Sequence, residues 1–204
     1  MTAEQHAYTA TWQSTGLPGK LRSYTLASAR MMHVKYRLAN LVCGLLPDFA
    51  SGAVRSRLYR LAGFDIPADA FIMGNLRLAS GGEGFYQKLR MGSGVVIGDN
   101  VTINLDADVK LGNNVSLGPR VLIYTGTHQI GPGSRRRIGP VVGRRVTIED
   151  GCWVGLAAII LAGVTVGHGS IVAAGAVVTQ DVPPDSFVEG NPARVVRKLP
   201  LGDR

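Results

Sequence analysis

Residues 142–178 read VGRRVTIEDGCWVGLAAIILAGVTVGHGSIVAAGAVV, and one period runs through them. Val142, Ile148, Val154, Ile160, Val166, Val172 and Val178 fall at every sixth position without a slip, and Gly143, Gly155 and Gly167 directly follow three of them. A helix repeats near 3.6 residues and a strand near 2, so a strict six needs another geometry. A hexapeptide β-helix supplies it. Each six gives one short strand and one corner, the marked aliphatic points into a shared core, and glycine accepts corner backbone angles that other residues avoid.

Outward from that stretch the period continues upstream. Ile66, Ile72 and Leu78 keep it, an insertion SGGEGFYQK interrupts it, and Met91, Ile97 and Ile103 resume it. Residues 104–110 shift the register by two before Leu111, Leu117 and Ile123 carry on. With three hexads per coil, five or six coils are expected. Ile123 to Val142 is nineteen residues where one hexad takes six, so thirteen are looped out of the wall within 124–141. Loops that leave a regular scaffold are where function concentrates.

The remaining segments follow from composition and breakers. Residues 1–19 are polar and aperiodic and read as a loose arm; residues 20–65 read as a helical segment; residues 66–185 form the β-helix; residues 186–204 are a C-terminal segment. Leu21, Tyr24, Met31, Leu38, Leu41, Val42 and Leu45 have helical spacing, Pro47 breaks the run, and Asp48 is a candidate N-cap for a second helix ended by Gly63. The expectation is a helical pair docked on the end or side of the solenoid. Basic residues among its apolar ones also make residues 20–63 a candidate for peripheral membrane contact.

Composition narrows the class. Twenty-seven glycines in 204 residues, roughly twice the usual share, belong to periodic corners rather than disorder. Cys43 and Cys152 lack metal or disulfide spacing, which points to a reducing cytoplasm, and the first twenty residues lack the apolar core of a signal peptide. The formal charge of +8 comes from 17 Arg and 5 Lys against 14 acids. Aromatics do not interleave with these cations, which argues against nucleic acid. Residues 151–180 hold no Asp, Glu, Lys or Arg, but their six-residue period reads as β-ladder rather than membrane span.

The loop holds the chemistry. His128 opens it after Thr127, and Arg135, Arg136 and Arg137 stand near its end. The chain has no GxSxG, P-loop or HExxH pattern, and its four histidines are too few and scattered for a three-histidine zinc site, so no metal is expected.

The run from Thr127 to Leu199, most tellingly the TH pair, CWVG, AAGAVVTQDVPP and GNPARVVR, resembles the hexapeptide-repeat acetyltransferases. Within them it is most similar to the sugar O-acetyltransferases acting on maltose, galactosides, nodulation factors and exopolysaccharides. The resemblance is specific over roughly residues 91–198. It implies a left-handed parallel β-helix, a homotrimer, and acetyl-CoA held between subunits as co-substrate. It also implies a sugar or glycan acceptor and a cytoplasmic site of action, with the inner membrane face as a variant.

The same resemblance carries roles onto particular residues. His128 matches the general base, Asn104 an asparagine contacting the acceptor, and Leu156 the backbone N–H that receives the oxyanion. Trp153 matches a tryptophan beside the pantetheine arm, although an interface aromatic would look the same. Ala174, Thr179 and Gln180 match the groove lining, with Gln180 replacing the usual lysine. Arg194 and Arg197, with Lys198 beside them, match the phosphate contacts. Asp106 and Arg137 are candidates for the acceptor; the arginine triplet could equally face a partner subunit or water. Residues 1–65 depart from the maltose and galactoside pattern, which favours a polysaccharide or lipid-linked acceptor over a free sugar. An N-acetyltransferase of amino-sugars, an antibiotic-modifying acetyltransferase and a non-catalytic assembly subunit are the alternative readings.

Overall fold

The computed structural model describes residues 33–79, 82–134 and 136–200, with side chains omitted at 137–140. The proposed arm, the first part of the helical segment and Arg135 lie outside the described residues, as does the side chain of Arg137.

The wall is a left-handed parallel β-helix with three faces, here A, B and C. Its first coil holds β1 (Phe71–Ile72) and β2 (Arg77–Ala79); the second holds β3 (Leu89–Met91), β4 (Val96–Ile97) and β5 (Thr102–Asn104). The third holds β6 (Val109–Leu111), β7 (Ser116–Leu117) and β8 (Leu122–Ile123). An antiparallel hairpin then projects, β9 (Gly126–Ile130) with β10 (Arg137–Gly143). Two further coils follow, β11 (Val146–Ile148), β12 (Trp153–Val154) and β13 (Ile159–Ile160), then β14 (Thr165–Val166), β15 (Ile171–Val172) and β16 (Val177–Val178). A partial sixth coil bridges Val182 to Val166 and ends in β17 (Ser186–Gly190), on which β18 (Ala193–Lys198) folds back antiparallel.

The period works through stacking. Ile72, Ile97, Leu117, Val154, Val172 and Val188 lie in register on face B, each at most 2% exposed. The residue two positions earlier also points inward, as with Val146 and Ile148 around a half-buried Thr147. Each coil therefore buries two residues per strand.

Two expectations change here. Val142 is not a rung: it pairs with Thr127 in the hairpin, and the clean ladder starts at Ile148. Ile123 to Ile148 is twenty-five residues, so nineteen rather than thirteen exceed a hexad. The glycines at 155 and 167 also serve another purpose than positive φ. A Cβ on Gly155 would lie 2.6 Å from the Ala174 nitrogen, and one on Gly167 2.6 Å from the Pro184 nitrogen, so they are small because the next coil passes so close.

The helices cap the open edge of the first coil. They are α1 (Val34–Cys43) and α2 (Gly52–Ala62). The Tyr36 hydroxyl donates to Leu76 O and accepts from Leu78 N, and Tyr59 Oη accepts from Leu76 N. Ser56 Oγ donates to Ala70 O, and Arg55 Nη1 to Met73 O. Side chains thus satisfy backbone groups at an otherwise open sheet edge, where Met73 O also accepts the Phe49 N–H. The inserted Phe85, 2% exposed, packs with Tyr36 and Phe64 at 5.5 Å beneath the pair.

Asp48 is not the N-cap of α2. Ser51 holds that position without a side-chain bond, while Asp48 accepts from the buried Arg55 at 3.0 Å. Gly63 ends the helix as expected, at φ 113°. The inward side of the pair is Tyr36, Ala39, Cys43, Arg55, Ser56 and Tyr59; Leu38, Leu41, Val42 and Leu45, read as its packing residues, are exposed.

Candidate functional site

Each corner of such a wall turns one N–H outward, and the corners dispose of it differently. Between faces A and B, side chains from neighbouring positions cap it. Asn113 Oδ1 takes Ser93 N, Asp150 Oδ1 takes Asn113 N, and Glu149 Oε2 takes His168 N. The bonds from Asn113 hold the Asp150 carboxyl below its usual range. Between faces B and C, the equivalent positions in the third to fifth coils are Pro119, Leu156 and Ala174. Proline has no N–H, and those of Leu156 and Ala174 meet no acceptor among the described residues. Leu156 itself is 53% exposed at that corner.

The outer faces agree with that location. Face A presents Arg90, Lys110, Thr147 and Thr165 to solvent. Face B presents Phe71, Val96, Ser116, Trp153, Ile171 and Phe187, and face C presents Arg77, Thr102, Leu122, Ile159 and Val177, so around Leu156 and Ala174 in the fourth and fifth coils both rows are apolar. Apolar rows therefore flank the open corner on both sides, with Trp153 55% exposed.

His128 belongs to the opposite edge of face C, where the hairpin leaves the wall. It lies two residues past the root on β9, half-buried and opposite Val141. The root is the pair Gly126 and Gly143. Asp106 explains both glycines: a Cβ on Gly126 would meet its carboxylate, and one on Gly143 would lie 2.8 Å from its carbonyl oxygen. Strand alternation puts His128 on the same side of β9 as the missing Gly126 Cβ, hence on the Asp106 carboxylate side. The two-residue register shift at 104–110 is the corner that carries Asp106 beneath this root.

Asn104 is fixed in the same corner, only 3% exposed. Its Oδ1 accepts from Asp106 N at 3.3 Å and lies 2.9 Å from the Thr125 hydroxyl, which in turn accepts from Ala107 N at 3.0 Å. With the oxygen so engaged, the amide NH₂ keeps its donors, and no described protein group takes them.

Thr179 and Gln180 are exposed just past β16, on the corner between faces C and A that also carries the hairpin, two coils on. At the C-terminal end, Arg197 lies over the Phe187 ring at 5.2 Å, and Lys198 Nζ donates to Pro184 O and Ser186 Oγ. Among the described residues the Arg194 side chain bonds its neighbour's carbonyl, Ala193 O. Among the three, Arg194 is the cation least committed to the fold.

One chain therefore holds the predicted site residues in two groups. Asn104, Asp106 and His128 gather at one edge of face C; Trp153, Leu156 and Ala174 gather at the other. A face is six residues, so these edges are roughly 15–20 Å apart. A separate concavity of about 820 Å³ at the A/B corner is lined by Lys110, Glu149, Asp150, His168 and Asp185 and contains none of the predicted residues. The N–H of His168 in its lining is already capped by Glu149. Among the described residues no cluster of three or more His, Cys, Asp or Glu is arranged to hold a metal.

Sequence reasoning placed Leu156 only by resemblance. The alternation of capped and open corners was legible in outline, since Asn113, Asp150 and Glu149 stand at one corner and Pro119, Leu156 and Ala174 at the other.

Residues 145–180 match the family described as the hexapeptide repeat of succinyl-transferase. A hexapeptide-repeat-containing acetyltransferase from Vibrio cholerae, solved with acetyl coenzyme A, superposes with a TM-score of 0.68 at 30% identity, covering 86% of this chain and 91% of that one. A maltose O-acetyltransferase from Clostridium difficile gives 0.69 at 27% identity over 84% and 90%. The galactoside O-acetyltransferase of Lactococcus lactis is 37% identical over 113 residues, 55% of this chain and 54% of that protein. The chain spans about half the length of the curated relatives it matches. Its repeats, its six-coil wall and its likeness to the Vibrio protein over nearly the whole length of both make this chain a member of the hexapeptide-repeat acetyltransferase family.

Proposed function

We propose that the protein is an acetyl-CoA-dependent O-acetyltransferase that acts on a sugar or glycan hydroxyl by direct transfer. The observation that carries this reading is the open N–H of Leu156 on a corner flanked by apolar rows. A preorganised, unspent donor suits the oxyanion of an acyl-transfer intermediate.

In this mechanism neutral His128 takes the proton of the acceptor hydroxyl. The oxygen attacks the thioester carbonyl, and the tetrahedral oxyanion accepts the Leu156 N–H. Collapse breaks the C–S bond, leaves the acetyl ester, and returns the proton from the imidazolium to the departing thiolate. The free NH₂ of Asn104 donates to the acceptor, with Asp106 on the same side and Arg137 as a further candidate contact from the hairpin. Trp153 packs beside the pantetheine arm, Ala174, Thr179 and Gln180 line its path, and Arg194, with Arg197 and Lys198, meets the phosphates.

Base, hydroxyl and oxyanion donor must lie within a few ångströms at reaction, yet His128 and Leu156 of one chain are a face apart. We infer that a second copy completes each site, as a homotrimer would, with the apolar rows of faces B and C buried between subunits. The free, buried Cys43 and Cys152 fit a cytoplasmic setting.

Leu156→Pro tests this sharply. Pro119 occupies the equivalent corner one coil below, so the corner geometry accepts proline, which removes the donor together with the exposed leucine side chain. Thiol release from acetyl-CoA with a panel of sugars and oligosaccharides should fall about 10²–10³-fold in kcat for Leu156→Pro and about 10²–10⁴-fold for His128→Ala, with coenzyme A still bound. Wild-type turnover in either variant refutes the assignment.

A further inference from the structure

Helix α1 is apolar on two sides. Tyr36, Ala39 and Cys43 face the solenoid. Opposite them, Val34, Leu38, Leu41 and Val42 are 56, 58, 66 and 45% exposed, and Leu45 just beyond is 80% exposed. At helical spacing the first four share one stripe about 100° wide. Lys35 borders it on one side and Arg37 on the other, both exposed. Phe49, Val54 and Leu61 add exposed apolar surface around α2, beside Arg57 and Arg60. Eight of the fifteen large exposed hydrophobics among the described residues thus fall within residues 34–61, and none of the eight is a candidate site residue.

Charge is concentrated in the same segment. Residues 20–63 contain eight Lys and Arg and one acid, Asp48, which the buried Arg55 occupies; Lys35, Arg37, Arg57 and Arg60 are the exposed cations among the described residues of that segment. Eight minus one gives +7 of the chain's +8.

We propose that this face lies on an anionic lipid bilayer, with the α1 stripe in the headgroup boundary and the basic border against the headgroups. The stripe contains only Val and Leu, with no hydrogen-bonding group to specify a protein partner. A second copy docked here would set cationic borders against each other, which repel. A ten-residue helix is about 15 Å long, enough to lie in the interface and too short to span it. No described helix is long and apolar enough to cross a membrane.

The test is co-sedimentation of the full chain with vesicles of phosphatidylcholine alone and of an equal mixture of phosphatidylcholine and phosphatidylglycerol. The mixed vesicles should bind the protein, less so as salt rises. Leu38→Glu with Leu41→Glu should weaken that binding on the order of 100-fold, and Lys35→Glu with Arg57→Glu at least about tenfold. All four side chains are exposed, so circular dichroism and coenzyme A binding should be unchanged. Equal binding to both vesicle types, no binding to either, or undiminished binding in the leucine variant overturns the proposal. A fall in sedimentation mass on mutating the leucines also overturns it, because the stripe would then be a contact between copies. Coenzyme A binding reads the acetyltransferase reading separately.

Discussion

Replacing Arg55 by methionine should loosen the helical cap without disturbing the wall. The Arg55 side chain is fully buried, and its guanidinium donates to five acceptors: Pro47 O at 3.1 Å, Met73 O at 3.0 Å, Cys43 O at 3.4 Å, Leu46 O at 2.7 Å and Asp48 Oδ1 at 3.0 Å. Methionine fills similar volume and donates nothing. Two acceptors keep a backbone donor, since Met73 O also takes Phe49 N and Cys43 O takes Leu46 N. Asp48 is 56% exposed and returns to water. Leu46 O and Pro47 O lose the donors described for them, at about 1–3 kcal/mol each where water cannot replace them. Removing the unpaired Nε recovers part of that, leaving a net loss of about 2–4 kcal/mol. For a chain of this size that is a Tm fall of roughly 5–15 °C. Amide exchange should localise the effect, with α1 protection lost before that of β7, β12 and β15. Arg55→Lys should fall between, because an ammonium cannot reach five acceptors in a fork. A methionine variant with wild-type Tm and intact α1 protection would refute the reasoning.

Gly143→Ala places a Cβ 2.8 Å from Asp106 O and 3.0 Å from the Ala107 Cβ, short of ordinary contact by about 0.6 Å. Backbone cannot swing aside, so the hairpin root should shift, lowering kcat about 10–100-fold with coenzyme A affinity unchanged; steady-state kinetics with calorimetry checks this. Alkaline pH should destabilise the fold through its thiols. Burial pushes the Cys152 thiol from 9.0 up to about 11, so the unfolded chain ionises first. That contribution to stability is complete below about 9 and fades between about 9 and 11. Urea midpoints across that range should show the decline, and Cys152→Ala should make it shallower, leaving the share of Cys43, Tyr36 and Tyr59, whose burial also raises them.

The ladder was legible because each rung repeats one physical requirement, an inward aliphatic, at one spacing. Val142 was misplaced because an aliphatic in a projecting β-strand keeps the same chemistry as one in the wall, and only pairing with Thr127 separates them. The helices were harder. Leu38 and Leu41 look like a packing face in sequence, yet Arg55, Tyr36 and Tyr59 take the interior because the first coil needs polar partners for its backbone more than further apolar contact. The role of Asp106 under Gly126 and Gly143 was hidden for a similar reason: three residues far apart in sequence meet only once the register shift at 104–110 is folded into a corner.

The closed ends of the wall have a consequence for how the protein fails. A parallel β-helix cut at any coil exposes strands whose next natural neighbour is another coil, and an identical molecule can provide one. Here tyrosine and serine hydroxyls with a buried guanidinium cover the edge of the first coil, and on face B β18 folding back on β17 covers the last parallel strand. Loss of either cover would turn a finite particle into a growing filament, each chain templating the next by head-to-tail strand addition.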